Sequence, residues 1–307
     1  MGGWNLRRPL RLKPIFDTNV FGHVQSGLIP QSDWLFLLQR RPRRGWPLSV
    51  VTVLELLAGL DRIPSEKFPD LRAQVNLACD LSRGRVLEDP MPMLCREVLQ
   101  IPFPDRLRAP SSSTLNRYME VVRRAKTLTQ LQKGVPFKGL HAVLREKSVV
   151  NDVVADIKKQ WVNALEELAT AKNPAWRELF REQGKRLPPV MRREIEPLSA
   201  WKAEGHALIE RLLTNLLDTK PESALVDVMM NKFSAVLEFT TFVLREFLIG
   251  NYSIEKNSSD VFDQFQLRYL AMDRFVIVTG DPDLSNRTAR SSQADRITTF
   301  HDVLQTL

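Results

Sequence analysis

Apolar residues in this chain fall into short unbroken runs over the first hundred positions and again near the end, with long helical-period stretches between. Pro14-Ile15-Phe16 closes one such run, and Leu48 to Val51 and Arg85-Val86-Leu87-Glu88 form two more. Phe275 to Thr279 and Arg296-Ile297-Thr298 follow some two hundred residues later. Runs of this length alternating with helical patterns predict strands of a parallel sheet joined by βαβ units. Between them, helices are expected from Val20, with Thr18 or Asn19 as cap, and through Trp34, Leu35, Leu37 and Leu38, with Ser32 or Asp33 as cap. Leu71 to Leu81 has the spacing of a further amphipathic helix. Thr52 followed by Glu55 reads as a Thr-x-x-Glu capping box opening another.

From about residue 100 strand signals nearly vanish. Pro102, Pro104 and Pro110 with Ser111-Ser112-Ser113 form a linker-like stretch. Helices are then predicted over 114–132, 141–171, 174–183, 197–218 and 222–249, punctuated by prolines. The α/β pattern resumes after Asn251 with a helix from Asp260 to Ala271. The expectation is an α/β domain, an open parallel sheet flanked by helices, assembled from residues 1–99 and 251–307 and interrupted by a mostly α-helical insertion at 100–250. No fixed-period repeat argues for a solenoid.

Composition narrows the class. At 307 residues and 43% hydrophobic content the chain can bury a substantial core. Cys79 and Cys95 are too few and too far apart for a disulfide framework or a Cys-x-x-Cys zinc site, which fits a reducing cytoplasm. The first residues hold no apolar core of signal-peptide length. Phe233 to Ile249 is the most membrane-like segment, but Glu238, Arg245 and Glu246 interrupt it, so it is expected to be a buried helix and no membrane partner is expected. The net charge of +8 is local: residues 1–50 carry 8 Lys and Arg against 2 Asp and Glu, residues 100–160 carry 12 against 5, and the rest of the chain sums to −5. Such segregation suits a polyanion held by basic arms, or else solvated helix faces on a basic protein.

Candidate chemistry lies in acids placed at the ends of the predicted strands or on the helices that follow: Asp17 after Ile15-Phe16, Glu55 after Thr52, Asp263 behind Asp260, and Asp281 after Thr279-Gly280. The carboxyl ends of neighbouring parallel strands converge on one crevice, so these acids can meet in space. Clustered carboxylates repel one another and are tolerated when a cation neutralises them, which predicts a Mg2+ or Mn2+ site. Each residue also has an ordinary role: an Asx turn or helix cap for Asp17, a capping box for Glu55, caps for Asp260 and Asp263, and a turn for Asp281-Pro282-Asp283. The four histidines are scattered without ligand spacing, and no Gly-x-Ser-x-Gly, Walker or Rossmann glycine pattern occurs.

Asp17-Thr18-Asn19-Val20 after a strand, Thr52-x-x-Glu55 at a helix start, an Asp-led apolar helix and a strand ending Val278-Thr279-Gly280-Asp281 resemble, in that order, the motifs of PIN-domain nucleases, over roughly half of the chain. The resemblance implies a PIN-like fold and a Mg2+- or Mn2+-dependent hydrolase that cleaves phosphodiester bonds, with single-stranded RNA as the expected substrate and products ending in 5′-phosphate and 3′-hydroxyl. It makes Asp17, Glu55, Asp263 and Asp281 the metal-binding catalytic acids. Asp263 is favoured over Asp260 by its spacing to the closing strand, and Asp283 competes with Asp281. Thr18, Asn19 and Thr279 would order the site. Arg40, Arg41, Arg43 and Arg44, with Arg123, Arg124 and Lys126 of the insertion, are the candidates for nucleic-acid backbone contacts, and Trp46 for stacking on a base. A toxin with a protein antitoxin partner is one role the family suggests, against which the long insertion weighs. A non-catalytic PIN-like binding module, a structure-specific DNA nuclease and a helical scaffold whose acids are caps are the alternatives.

Overall fold

The computed structural model describes residues 12–58, 63–104, 111–133, 198–248 and 260–307, together with the single positions 60, 166 and 178. The helices expected over 141–171 and 174–183 lie outside the described residues. The elements are β1 (Lys13–Phe16), α1 (Thr18–Gln25), α2 (Gln31–Arg40), α3 (Val50–Ala58), α4 (Phe68–Ser82), α5 (Pro90–Leu94), α6 (Ser112–Arg124) and α7 (Leu128–Lys133). After them come α8 (Leu198–Leu217), α9 (Ser223–Lys232), α10 (Ser234–Leu248), α11 (Asp260–Leu267), β2 (Phe275–Thr279), α12 (Pro282–Arg287), β3 (Ile297–Thr299) and α13 (Phe300–Thr306). The molecule is therefore mixed α/β.

Its three-stranded sheet has the order β1-β2-β3, with both pairings parallel. The register sets Phe16 opposite Val278 and Thr279 opposite Thr299, so the carboxyl ends of all three strands reach the same edge. Every residue of β2 is buried. That is the pattern of a central parallel strand covered on both faces, and it explains an apolar run with no alternation. Trp34 of α2 sits between Phe21 of α1 and Phe300 of α13, with ring centroids 6.0 and 6.2 Å away. Each such side chain contributes about 1.5–3 kcal/mol on leaving water.

The second and third expected strands shrink to one parallel bridge, Leu48 with Val86. The cause is a helix cap. The Ser49 hydroxyl accepts the Thr52 backbone N–H at 2.8 Å, so α3 begins at Val50 and absorbs the residues that would have extended the strand. On the other side, Arg83 and Gly84 take positive φ and Asp89 already caps α5, which leaves little extended chain between them. Thr52 thus lies inside α3, and the capping box expected of Thr52 and Glu55 does not form. Likewise α1 is capped by Asp17 rather than Thr18 or Asn19, and α2 starts after Pro30 without a side-chain cap.

Two compact units divide the chain: Met1–Arg145 with Phe265–Leu307, and Glu146–Gln264. The first holds the sheet. Leu115, Met119 and Val122 of α6 and Leu128 and Leu131 of α7 belong to its core, and the single helix expected over 114–132 is broken where Ala125 turns extended. In the second unit Ile209, Leu213, Val226, Met229, Phe239 and Val243 are buried. Its expected 222–249 helix is two, separated at Phe233. No described helix is long and apolar enough to cross a membrane.

Candidate active site

Asp17 is the first residue past β1 and the N-cap of α1, and it is only 4% exposed. Its Oδ1 accepts the Thr18 backbone N–H at 2.7 Å, and its Oδ2 accepts the Thr279 hydroxyl at 3.0 Å. The Thr279 Oγ1 in turn accepts the Asp281 backbone N–H at 3.0 Å and the Asn19 Nδ2–H at 3.2 Å. One donor and two acceptor positions are all a hydroxyl has, so Thr279 is fully used. Asn19 also accepts the Gly280 backbone N–H at 2.8 Å, and a Cβ at Gly280 would collide with the His23 ring. The polar residues that follow β1 are thereby fastened to those that follow β2.

Glu55 approaches from α3, where it is half-buried, and its Oε2 accepts the Thr18 hydroxyl. Asp281 caps α12, accepting the Asp283 backbone N–H at 2.8 Å, while Asp283 is exposed. Thr18, Asn19 and Thr279 are thus hydrogen-bonded among Asp17, Glu55 and the Gly280–Asp281 backbone. Asp260 and Asp263 stand in the first turn of α11, in the second unit.

The electrostatics of the group are those of crowded carboxylates. Burial lifts the Asp17 pKa to about 6; the charge of Asp281 pushes the same way, and hydrogen bonds from Thr18, Thr279 and Asn19 pull back. Burial likewise lifts Glu55 to about 7, reinforced by the charge of Asp17 and opposed by the Thr18 hydroxyl. Although Glu55 keeps some surface, the protein crowded around it desolvates the carboxylate. Among the described residues the charges acting on Asp17 and Glu55 are those of other acids, and carboxylate oxygens are hard donors of the kind divalent cations bind. Among the described residues no three His, Cys, Asp or Glu side chains are drawn together closely enough to hold an ion as they stand.

A buried polar seam supports the acids and had no signal of its own in the sequence. The Thr52 hydroxyl donates to the Phe16 carbonyl at 2.9 Å, one residue before Asp17 and one helical turn before Glu55. The Ser49 hydroxyl donates to Gln266 Oε1 at 2.9 Å, joining α3 to α11.

The basic candidates are partly spent inside the protein. Arg40 donates to the Leu307 carbonyl at 3.2 Å and lies 5.1 Å over the Phe36 ring, and Arg41 donates to the Leu38 carbonyl at 3.0 Å. Arg43 and Arg44 are exposed. Arg123 pairs with Asp80 at 3.0 Å and with Glu120 at 3.7 Å; Arg124 is more open, 3.8 Å from Glu120, and Lys126 is exposed. Trp46 is buried against Phe16, at 5.8 Å, so it packs the core and does not offer a face for a base.

Comparison with protein-family models, with curated proteins and with solved structures found no match.

Proposed function

We propose that the chain is a metal-dependent phosphodiesterase of PIN-like type acting on single-stranded RNA. The observation that carries this reading is that Asp17, at the carboxyl edge of a parallel sheet, feels the charge of Asp281 and imposes its own on Glu55, with the pKa values of Asp17 and Glu55 raised toward neutrality. Mg2+ or Mn2+ held by these three acids would supply a Lewis acid for the phosphate and a lowered pKa for a bound water. The chain's own contribution is positioning and proton handling. Thr18 and Thr279 fix both oxygens of Asp17, and the Thr18 hydroxyl turns Glu55 toward the same place. With a pKa of about 7 before an ion arrives, Glu55 gives up its proton on metal binding, so binding should release protons near neutral pH.

One observation favours the scaffold reading instead: Asp17 and Asp281 both cap helices, a task that needs no metal. The two readings part in one assay. Single-stranded RNA should be cut in Mg2+ or Mn2+ and not in EDTA, and Asp17→Asn should slow cleavage at least a few hundredfold, comparable to loss of one key electrostatic group. Wild-type rates from Asp17→Asn, or no cleavage in either metal, would leave the acids as caps.

A further inference from the structure

A cleft of about 450 Å³ opens beside the acids, between the end of α1, the start of α2 and the carboxyl ends of β2 and β3. It shares Thr279, Gly280 and Asp281 with the carboxylate group, so a strand whose phosphate lies at the acids has a neighbouring nucleotide at the mouth of the cleft. The volume is that of a small-molecule site and is far too small for a duplex. Only a base turned out of a single strand can enter.

The lining combines a shelf with an edge reader. Leu28 is 73% exposed at the rim, an apolar surface with no packing role, and the imidazoles of His23 and His301 supply further flat faces. Asp281 belongs to the carboxylate group beside Asp17 and also caps α12. Asp33 is the other carboxylate of the cleft, half-buried, and the hydrogen bond it accepts there is a long one from the Ser32 hydroxyl, 3.4 Å. A carboxylate offers two adjacent acceptors and no donor. Guanine is the base whose Watson–Crick edge offers two adjacent donors, N1–H and the N2 amino group. Adenine and cytosine place an acceptor beside one amino group, and uracil places acceptors on both sides of its single N–H.

Resting on the nuclease reading above, we infer that this cleft seats a guanine base next to the scissile phosphate, stacked against Leu28 and the imidazoles and read at its edge by Asp33. Asp33 is then a specificity residue and takes no part in the chemistry.

The test has two arms that fail separately. In EDTA, saturation-transfer NMR with guanosine, adenosine, cytidine and uridine reads the cleft without metal or phosphate. Guanosine should give the strongest transfer, and Asp33→Asn should weaken its binding roughly tenfold or more, the scale of one bidentate base contact. Leu28→Ser, at an exposed position where folding is not at stake, should weaken it as well. In Mn2+, a mixed-sequence RNA should be cut with a fixed offset from guanines, and Asp33→Asn should flatten that preference. Equal or absent transfer from the four nucleosides, or a guanosine signal untouched by both variants, overturns the cleft assignment even if RNA is cut. Guanosine binding that responds to Asp33→Asn, in a protein that cuts no RNA, supports the cleft and removes the catalytic reading.

Discussion

Two regions of the first unit bury ionisable groups, and they treat charge in opposite ways. Around α11 and α5, Arg268 lies 4.3 Å over the Phe265 ring, and burial lowers its pKa to about 10 against the pull of Asp89. Asp89 in turn is raised by burial and steadied by the Met91 N–H and by Arg268. Opposite charges face each other there, and the arrangement is complete without a visitor. At the sheet edge, the charge acting on Asp17 is that of Asp281, and the charge acting on Glu55 is that of Asp17. Like faces like. A fold tolerates the first arrangement as architecture, whereas the second costs stability in every state that lacks a cation or a proton.

The contrast can be broken at its strongest point by deleting the countercharge that exists. Arg268→Met should cost roughly 2 kcal/mol in urea unfolding by stranding Asp89, while leaving the metal response unchanged. A variant as stable as wild type would mean that Asp89 does not depend on Arg268.

A pH series sharpens the other side. Asp17 and Glu55 have folded pKa values of about 6 and about 7, raised from ordinary values of 3.8 and 4.5. Raised carboxyl pKa values mean that folding favours the protonated forms. That stabilisation is full below pH 4 and is lost as pH climbs through 6 and 7. In EDTA the wild type should therefore lose on the order of 2 kcal/mol relative to Asp17→Asn between pH 4 and pH 8. In millimolar Mn2+ the trend should invert, because the ion binds the ionised acids and its stabilisation grows with their deprotonation. Parallel pH curves for the two proteins would show that the site carries no strained charge.

The smallest effect belongs to the surface. Arg123 is already paired with Asp80 and Glu120, so Arg123→Gln should change stability by less than about 1 kcal/mol and leave the salt dependence of RNA binding unmoved. Arg124→Gln with Lys126→Gln should make the salt slope shallower by roughly 0.7 for each phosphate no longer neutralised, measured by fluorescence anisotropy with single-stranded RNA. An unchanged slope would take this face out of nucleic-acid binding.

What was legible in the sequence was whatever local pattern determines. β1 and β2 are apolar runs that give way to polar residues, and β3 is a short β-branched segment, so their positions follow from local pattern. Of the four acids expected to gather, Asp17 and Asp281 follow β1 and β2, whose ends reach one edge, and Glu55 comes from α3, whereas Asp263 lies in the first turn of α11. What failed depended on single side chains acting across the fold. The Leu48 to Val51 run is as apolar as a strand, but the Ser49 hydroxyl converts its second half into helix. Trp46 sits beside an arginine loop in sequence and against Phe16 in space. Gln266 meets Ser49 across 217 positions, a pairing that no local periodicity encodes.

The Thr279 hydroxyl also joins the Thr18 N–H in holding Asp17 toward its ionised form. With both lone pairs engaged by the Asn19 and Asp281 N–H groups, its hydrogen points at Asp17 Oδ2, while the Thr18 N–H points at Oδ1. Both oxygens of Asp17 thus meet donors, which favours its ionised form and works against burial. Glu55 receives the Thr18 hydroxyl at Oε2, and its pKa is the higher of the two. On acidification the pair takes up its protons in two steps over the range from about pH 7 to about pH 6, each step shared between the two acids.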